Sequence, residues 1–355
     1  MLEKGIDLVV QGPCKIRVKQ GKIDIVGIEI NEELTIKENK TFTITSLAES
    51  EIETDCKVIG KFPSLNWREK AEEAYGKTII IGEEDSGKSY FSNMVSNIHN
   101  FPILDSDVGQ SSLFIPTFIS LSDINKKTLT PREKGYKELE FFGDKTPSWN
   151  PRLHIELISK LSSYFKEIVI DTDGWVRGFY AYRHKIELIH IIDPDFIVVF
   201  EDYKDKYLPL DLRKRVIKLK KLPINLNRNR SERAAYRRNL YKGYFETSYE
   251  IKIDPAKIFG EPISDKLFMS WGEILQLSDE TPCEGYFIEL EDAKGLLVGL
   301  TLKGKIIGAG IISNITKDSI SIKTPEKQAD GVLLSNINLN ENFEERRVKI
   351  KKCSE

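Results

Sequence analysis

The stretch that decides the fold reads Gly82-Glu83-Glu84-Asp85-Ser86-Gly87-Lys88-Ser89. It has the form G-x-x-x-x-G-K-S, which is typical of a phosphate-binding loop. In such a loop the backbone N–H groups turn inward around the phosphates. Lys88 would reach the β- and γ-phosphates, and the Ser89 hydroxyl would hold Mg²⁺. The competing interpretation is a surface turn that contains glycine.

The residues on either side of the loop favour a phosphate site over a turn. Residues 77–81 form a short β-branched run, which predicts a buried strand. Residues 90–98 contain neither glycine nor proline and can continue as a helix. The loop then lies at a helix N-terminus, where the dipole and the free N–H groups favour an anion.

Strand-like and helix-like segments alternate along the middle of the chain. Strands are predicted at 101–104, 167–170 and 196–200, and helices at 151–165 and 180–188. This alternation predicts an α/β fold with a doubly wound parallel sheet. The ligand of such a sheet belongs at the carboxyl ends of the strands, which is where the loop and the acidic residues fall.

Acidic residues directly follow two of these predicted strands. Asp105 and Asp107 come after the first, and carboxylates spaced i, i+2 beyond a strand can both face a γ-phosphate. One could hold the water shell of the metal while the other accepts a proton from an attacking hydroxyl. Asp171 follows the second strand and competes with Asp105 for the metal-side role. The alternative is an Asp-rich turn without chemistry.

The chain becomes strongly basic between residues 213 and 238. Arg233 and Arg237 are four residues apart, so they share one face of a predicted helix. Two guanidinium groups on one face can bind phosphate oxygens, either of a transferring phosphoryl group or of a nucleic-acid backbone. A solvated helix face is the alternative.

Both ends of the chain show period-two alternation punctuated by glycine, which predicts β-domains. The predicted organisation is an N-terminal β-sandwich domain at 1–62, a phosphate-loop domain at 63–262 and a C-terminal β-domain at 263–355. The N-terminal domain carries no evident chemistry of its own and is interpreted as a structural or docking module.

Size and composition limit the possible classes of protein. The chain has 355 residues, 40% hydrophobic and 30% charged, and its length predicts two or three domains. Its net charge of −2 means that a nucleic-acid surface must be a local patch. No run of about 18 apolar residues occurs, so no membrane partner is predicted.

The four cysteines, Cys14, Cys56, Cys283 and Cys353, form no CxxC pair and no metal-binding spacing. They predict a reduced intracellular protein. No signal peptide is recognisable, so a cytoplasmic location is expected. The composition, which is rich in Lys, Glu and Ile and poor in Met and Cys, is typical of a protein from a heat-adapted organism.

Taken together, the motifs resemble the polynucleotide 5′-hydroxyl kinases of the Clp and Grc type, RNA kinases of pre-mRNA cleavage, tRNA splicing and rRNA processing that have archaeal relatives. The resemblance rests on the loop and on three further motifs in the same order. They are Asp105-x-Asp107-x-Gly109-Gln110, Thr172-x-Gly174-Trp175 and Arg233-x-x-x-Arg237. It covers nearly the whole chain, because the two β-rich ends are similar to the flanking domains of that family.

The resemblance implies a function and a role for each matching residue. The protein would transfer the γ-phosphate of ATP to the 5′-hydroxyl of RNA, with DNA as an alternative substrate and RNA-processing proteins as partners. The loop from Gly82 through Tyr90 would bind ATP. The implied Mg²⁺ ligands are Ser89, Asp105 and Gln110. The implied catalytic residues are Lys88, Asp105 and Asp107, with Asp105 as the first choice of base, and the lid arginines Arg233 and Arg237.

The resemblance also implies a nucleic-acid clasp formed by Thr172, Gly174 and Trp175, with Gln110 close to the metal and the substrate. The indole of Trp175 would stack on the terminal base, a role that suits an aromatic side chain. The lid could shift register to Arg230 or Arg238. Asp171 stands where some relatives carry an asparagine.

Two other functions compete with an active kinase. The first is a nucleotide-binding scaffold of an RNA-processing complex that does not turn over; the presence of loop, carboxylates, tryptophan and arginines together argues against it. The second is a GTPase or general ATPase. No Asn-Lys-x-Asp guanine signature supports it, since the nearest string, 125–128, ends in threonine.

Overall fold

The computed structural model describes residues 1–37, 40–123, 126–260, 263–264, 267–270, 273–276, 286–316 and 318–352. The chain forms two compact units. Unit 1 comprises Met1–Asp107, Leu121–Lys137 and Ile158–Asn227. Unit 2 comprises Val108–Ser120, Glu138–Leu157 and Arg228–Glu355. The three-domain division expected from the sequence stays a prediction.

The N-terminal part of unit 1 is built from eight strands. They are β1 Ile6–Gln11, β2 Cys14–Gln20, β3 Ile23–Ile25, β4 Ile28–Ile30, β5 Glu33–Ile36, β6 Thr41–Ser46, β7 Glu51–Thr54 and β8 Lys57–Pro63. They form a five-stranded sheet of order β4-β3-β6-β1-β8 and a three-stranded sheet of order β5-β2-β7. The alternating burial of β2, with Cys14, Ile16 and Val18 inside, is the period-two pattern seen in the sequence.

A disulfide between Cys14 and Cys56 corrects the prediction of a fully reduced chain. The sequence contains no pairing signal because the two cysteines are 42 residues apart. Strands β2 and β7 pair antiparallel, with Ile16 opposite Thr54. This pairing brings the Cα atoms of Cys14 and Cys56 to 4.8 Å from each other. Intracellular disulfides are known from heat-adapted organisms, so this bond is compatible with the heat-adapted source that the composition indicates.

Replacing Cys14 with serine should lower the free energy of unfolding by about 2–4 kcal/mol, because the bond closes a long loop in the unfolded chain. The measurement is a guanidinium unfolding curve recorded with and without reductant. Reductant should shift the wild-type curve to the position of the variant and leave the variant unchanged. An equal shift in both would mean that the bond contributes nothing.

The phosphate loop lies in a second, mainly parallel layer. Its elements are α1 Trp67–Glu73, β9 Lys77–Ile81, α2 Lys88–His99, β10 Ile103–Asp105, β11 Phe118–Ser122, β12 Tyr136–Phe141, α3 Pro151–Ser162, β13 Ile168–Asp171, α4 Phe179–Ile192, β14 Phe196–Phe200 and β15 Val216–Leu219. The seven-stranded sheet has the order β12-β11-β10-β13-β9-β14-β15. The five strands from β10 to β15 in this order pair in parallel, as predicted.

The order of these strands sets the position of the site. β10, β13 and β9 are neighbours, and each is followed directly by one of the predicted motifs. Because carboxyl ends of parallel strands meet at one edge of a sheet, those motifs converge. The strands are almost fully buried, which explains why they read as continuous apolar runs.

The elements after residue 228 all belong to unit 2. They are α5 Arg230–Tyr244, β16 Tyr249–Ile253, β17 Ile258–Phe259, β18 Ile263–Ser264, β19 Leu267–Ser270, β20 Glu273–Gln276, β21 Tyr286–Glu289, α6 Leu290–Ala293, β22 Leu296–Leu302, β23 Lys305–Ile315, β24 Ile320–Thr324, β25 Gly331–Leu339, β26 Glu345–Arg347 and β27 Ile350–Lys352. One sheet has the order β16-β24-β23-β22-β25-β17 with β26 beside β25, and another has β20-β19-β18-β21-β27. Together with the N-terminal sheets, they confirm the α/β class with flanking β-sheets.

Among the described residues, no helix has both the length and the apolar character needed to span a bilayer.

Candidate functional site

The phosphate loop joins the end of β9 to the first residue of α2, as the sequence predicts. Gly87 precedes the helix with a φ of 104°, a conformation that favours glycine. A Cβ atom at this position would lie 2.6 Å from the ring of Trp67. The second glycine of the motif is therefore required both by the backbone and by the packing beneath the loop.

Lys88 holds the loop in a compact conformation. Its side chain is buried, and its ammonium Nζ donates a hydrogen bond to the carbonyl oxygen of Glu83 at 2.6 Å. This bond places the positive charge inside the loop. The ammonium group therefore already lies at the loop, where a phosphate is predicted to bind.

Asp105 and Asp171 occupy neighbouring strand ends. They are register partners in the parallel pair β10–β13, and each is 1% exposed. The backbone N–H and the hydroxyl of Ser106 both donate to the carbonyl oxygen of Asp171, at 2.9 Å. These bonds hold the two strand ends together, so the two buried carboxylates are neighbours at one edge of the sheet.

The environment of Asp171 disfavours its negative charge. Among the described residues, neither of its carboxylate oxygens has a hydrogen-bond partner. Burial and the nearby Asp105 carboxylate raise the pKa of Asp171 to about 7, while the charge of Lys88 and the Ser89 hydroxyl act in the opposite direction. A buried pair of carboxylates calls for a cation.

Mg²⁺ fits this group of residues. Its preferred ligands are oxygens, and carboxylates and a hydroxyl are what Asp105, Asp171 and Ser89 provide. The unsatisfied oxygens of Asp171 are the observation that makes the fit specific. The ion would supply positive charge that compensates the buried carboxylates and neutralises phosphate oxygens.

Asp107 lies two residues beyond the end of β10 and is partly buried. Its backbone N–H donates to the Oδ1 atom of Asp105 at 3.1 Å. The turn after β10 therefore fixes the Asp105 carboxylate through a hydrogen bond, as Asx turns do. The i, i+2 spacing has a structural consequence as well as the predicted chemical one.

The segment after β13 carries the predicted clasp. The Thr172 hydroxyl, fully buried, donates to the carbonyl oxygen of Ile80 at 2.7 Å. A Cβ atom on Gly174 would lie 2.7 Å from the backbone nitrogen of Glu84, so this glycine lets the clasp approach the phosphate loop closely. The backbone N–H of Trp175 donates to Oδ1 of Asp173 at 2.8 Å, and its indole packs against the ring of His184.

An ion pair between Arg177 and Glu83 adds a second connection between clasp and loop, and no sequence pattern predicts it. The guanidinium donates to both carboxylate oxygens, from Nε at 2.5 Å and from Nη2 at 2.7 Å. This pair lowers the pKa of Glu83 and keeps the first acidic residue of the loop neutralised. Three consecutive acidic residues are an unusual lining for a phosphate site, and the pair offsets one of them.

A cavity of about 430 Å³ opens beside the loop within unit 1. Its lining includes Thr41 and Thr43 from the N-terminal strands, Trp67, the loop residues Asp85, Ser86 and Gly87, Tyr90, and the segment 221–227. The Tyr90 hydroxyl donates to the carbonyl oxygen of Thr43. The volume lies within the range of small-molecule sites.

The N-terminal strands contribute to the wall of this cavity, and their interpretation as a structural or docking module stays a prediction. Two of their threonines form part of the wall next to Ser86 and Gly87. The sequence could not reveal this because the contact joins residues more than 40 positions apart. The segment 221–227 was missed for a similar reason, although it follows the edge strand β15 at the same end of the sheet as the loop.

Three predicted site residues belong to unit 2. Gln110 is partly buried, and its side-chain amide donates to the carbonyl oxygen of Gly109. Arg233 and Arg237 lie one turn apart on α5, as predicted, and both are partly buried. Nε of Arg237 lies 2.9 Å from both carboxylate oxygens of Glu345.

The comparisons with known proteins agree with the geometry of the loop. Residues 82–247 match the family described as mRNA cleavage and polyadenylation factor CLP1 P-loop. The chain is 28% identical over 322 residues to the polyribonucleotide 5′-hydroxyl-kinase of Methanocaldococcus jannaschii, covering 76% of this chain and 88% of that protein. It is 26% identical over 303 residues to the enzyme of the same name from Pyrococcus furiosus, covering 72% and 84%.

Solved structures show the same fold over nearly the full length. A chain in the structure of the wild-type Clp1p–Pcf11p complex aligns with a TM-score of 0.64 at 14% identity, covering 95% of this chain and 96% of that one. A second structure, of the extended interface between Pcf11p and Clp1p, gives a TM-score of 0.67 and covers 95% and 97%. By the family match over residues 82–247 and the kinase-named relatives, the chain is similar to the Clp1-type polynucleotide 5′-hydroxyl kinases.

Proposed function

We propose that this protein transfers the γ-phosphate of ATP to the 5′-hydroxyl of RNA. The observation that carries the proposal is the order β10-β13-β9 in one parallel sheet. It brings Lys88, the two buried carboxylates and Trp175 to one sheet edge within unit 1. A triphosphate and the end of a nucleic-acid strand could meet there, as in-line transfer requires.

Binding of ATP is assigned to the loop and to the cavity beside it. Backbone N–H groups at the start of α2 and the Lys88 ammonium would hold the phosphates. The nucleoside would enter the cavity that adjoins Ser86 and Gly87, where Trp67 and Tyr90 provide apolar surface. Asn225 and Asn227 in its wall offer amide groups for hydrogen bonds to a base.

Activation of the 5′-hydroxyl is assigned to Asp105. Its buried carboxylate, oriented by the N–H of Asp107, would accept the hydroxyl proton as the oxygen attacks the γ-phosphorus. Mg²⁺, held by Ser89 and Asp171 with Asp105 nearby, would supply positive charge against the phosphate oxygens. Gln110 is retained as a further candidate at this site from the resemblance.

The lid arginines remain part of the proposal. Arg233 and Arg237 would cover the γ-phosphate and stabilise the charge that it carries during transfer. Arg237 would have to leave Glu345 to do so.

Trp175 is assigned to stacking on the terminal base, with Thr172 and Gly174 shaping the clasp. Replacing Trp175 with alanine should weaken binding of a 5′-hydroxyl oligonucleotide by about 1–3 kcal/mol, the contribution of one stacked base, and change ATP affinity little. Fluorescence anisotropy with a labelled RNA, and calorimetry with a non-hydrolysable ATP analogue, measure the two affinities.

A matched control for this substitution is Tyr75→Ala. Tyr75 is an exposed aromatic residue that precedes β9, at the opposite end of the strand from the loop. Its loss should leave RNA affinity unchanged. Equal affinities of the Trp175 variant and the wild type for RNA would contradict the clasp assignment.

Substrate, partners and location follow from the proposed activity. RNA with a 5′-hydroxyl end is the first choice of substrate, in single-stranded or duplex form, because the relatives are named polyribonucleotide kinases. The Clp1p–Pcf11p structures make RNA-processing proteins the expected class of protein partner. A cytoplasmic location is proposed, and an internal disulfide is compatible with it in a heat-adapted cell.

The direct test is a transfer assay with γ-labelled ATP, Mg²⁺ and RNA or DNA oligonucleotides that differ only in a 5′-hydroxyl or 5′-phosphate end. Label should appear on the 5′-hydroxyl strands only. Folded protein that binds ATP but never labels an end would instead be the scaffold.

A further inference from the structure

A fully buried ion pair lies next to the clasp. Nζ of Lys185, on α4, donates to Oδ2 of Asp173 at 2.6 Å, and the two side chains are 0% and 4% exposed. Neither residue has a part in the phosphate, metal or base-stacking roles proposed above. Buried ion pairs are weak contributors to stability compared with apolar packing, so their presence invites a functional explanation.

Asp173 connects this pair to the tryptophan of the clasp. Its other oxygen, Oδ1, accepts the backbone N–H of Trp175 at 2.8 Å. One carboxylate thus holds a helix side chain with one oxygen and the clasp backbone with the other. Because its two oxygens accept from two different donors, the carboxylate has little freedom to rotate.

The same helix also supports the indole itself. His184, adjacent to Lys185 on α4, packs against the Trp175 ring with centroids 5.4 Å apart. Consecutive residues of one helix therefore contact the backbone anchor and the ring of the same tryptophan. Helix α4 would therefore determine the orientation of a base that stacks on this ring.

We propose that Lys185 is a positioning residue for the nucleic-acid end. It holds the Asp173 carboxylate, which fixes the backbone of Trp175 and so orients the indole that receives the terminal base. This inference rests on the proposed function. It predicts that changes at Lys185 and Asp173 alter the use of the nucleic-acid substrate and not the use of ATP.

The first variant is Asp173→Asn, which preserves shape. A carboxylate offers two acceptor oxygens, whereas an amide offers one and presents N–H groups on the other side. The amide can therefore satisfy Lys185 or Trp175 but not both. We expect the KM for a 5′-hydroxyl RNA to rise about tenfold to a hundredfold, as for a lost hydrogen bond to a charged group, with the KM for ATP unchanged.

The second variant is the double substitution Asp173→Asn with Lys185→Met. With the ammonium removed, the amide oxygen is free to accept from Trp175, and no buried charge is left over. The KM for RNA should return toward the wild-type value. Recovery in the double variant, after loss in the single one, is a signature that a merely stabilising pair would not produce in KM.

The control is Arg183→Met on the same helix. Arg183 is exposed and pairs with Glu187, so its removal should leave both KM values unchanged. A wild-type KM for RNA in folded Asp173→Asn protein would overturn the proposal, as would an equal rise in both KM values. If the single variant does not fold, the double substitution Asp173→Ala with Lys185→Met decides, because it removes the acceptor of the Trp175 N–H and leaves no unpaired buried charge. A raised KM for RNA with an unchanged KM for ATP supports the proposal, and a wild-type KM for RNA contradicts it.

Equilibrium binding separates this inference from the proposed function. RNA affinity measured by anisotropy requires no turnover. If the wild type transfers no phosphate but Asp173→Asn still weakens RNA binding, the kinase proposal fails and the positioning role stands. If the wild type transfers phosphate and Asp173→Asn binds and uses RNA normally, only the positioning role fails.

Discussion

Asp105→Asn should lower kcat for phosphoryl transfer by about 10²–10⁴-fold, the range that a general base contributes. An amide cannot accept the hydroxyl proton, yet its oxygen can still accept the Asp107 N–H bond that the carboxylate accepts now. The fold and the loop should therefore be preserved. Single-turnover transfer from labelled ATP, with ATP affinity measured separately, gives the two quantities.

Two substitutions serve as controls for this result. Asp107→Asn retains the backbone N–H that orients Asp105 and should have a much smaller effect. Asp171→Asn removes the carboxylate assigned to the metal, so its loss of activity should be partly recovered at high Mg²⁺, unlike that of Asp105→Asn. If high Mg²⁺ instead restores the activity of Asp105→Asn and not that of Asp171→Asn, then Asp105 binds the metal and Asp171 is the base.

The part of the site that the sequence predicted well is local along the chain. β9, the loop and α2 follow one another within 23 residues, so strand pattern, glycine spacing and helix pattern all bear on the same few turns. Asp105 and Asp171 were recognisable because a carboxylate that directly follows an apolar strand has a known position in a parallel sheet. Their direct register pairing follows from sheet order, which the chain order alone does not specify.

The part that the sequence did not predict joins distant residues. Cys14 and Cys56 come together through strand pairing. Thr43 lines the cavity beside Tyr90, whose hydroxyl donates to the Thr43 carbonyl oxygen. Lys185 lies within the helix predicted at 180–188, but no sequence pattern singles it out, and only its burial against Asp173 does so. Such contacts depend on tertiary packing, for which a single sequence has no periodic signal.

The arginines of α5 show the same limit. The helix and the shared face of Arg233 and Arg237 were predictable from spacing. The pairing of Arg237 with Glu345 was not, since that carboxylate lies 108 residues further along the chain. A charge run therefore predicted the helix face correctly but could not show which charges were already paired within unit 2.

Lys88→Ala should abolish measurable transfer, with a loss of at least about 10²–10³-fold as expected for removal of one group that stabilises transition-state charge. It should also weaken ATP binding by about tenfold to a hundredfold, because a charge-assisted hydrogen bond to phosphate is lost. The Lys88 ammonium donates to the Glu83 carbonyl oxygen, and its charge favours the ionised form of Asp171. Its removal should therefore change both the shape of the loop and the electrostatics of the proposed metal site.

The RNA affinity of the Lys88 variant separates the loop from the clasp. Trp175 is held by Asp173 and Thr172 by Ile80, neither of which depends on the lysine, so RNA binding without ATP should stay within about twofold of wild type. Lys70→Ala, an exposed lysine paired with Glu73, controls for loss of charge alone. Unchanged ATP affinity after removal of Lys88 would mean that the triphosphate binds elsewhere. Lost RNA affinity would mean that loop and clasp form a single binding element, in which case nucleotide and nucleic acid could not load independently.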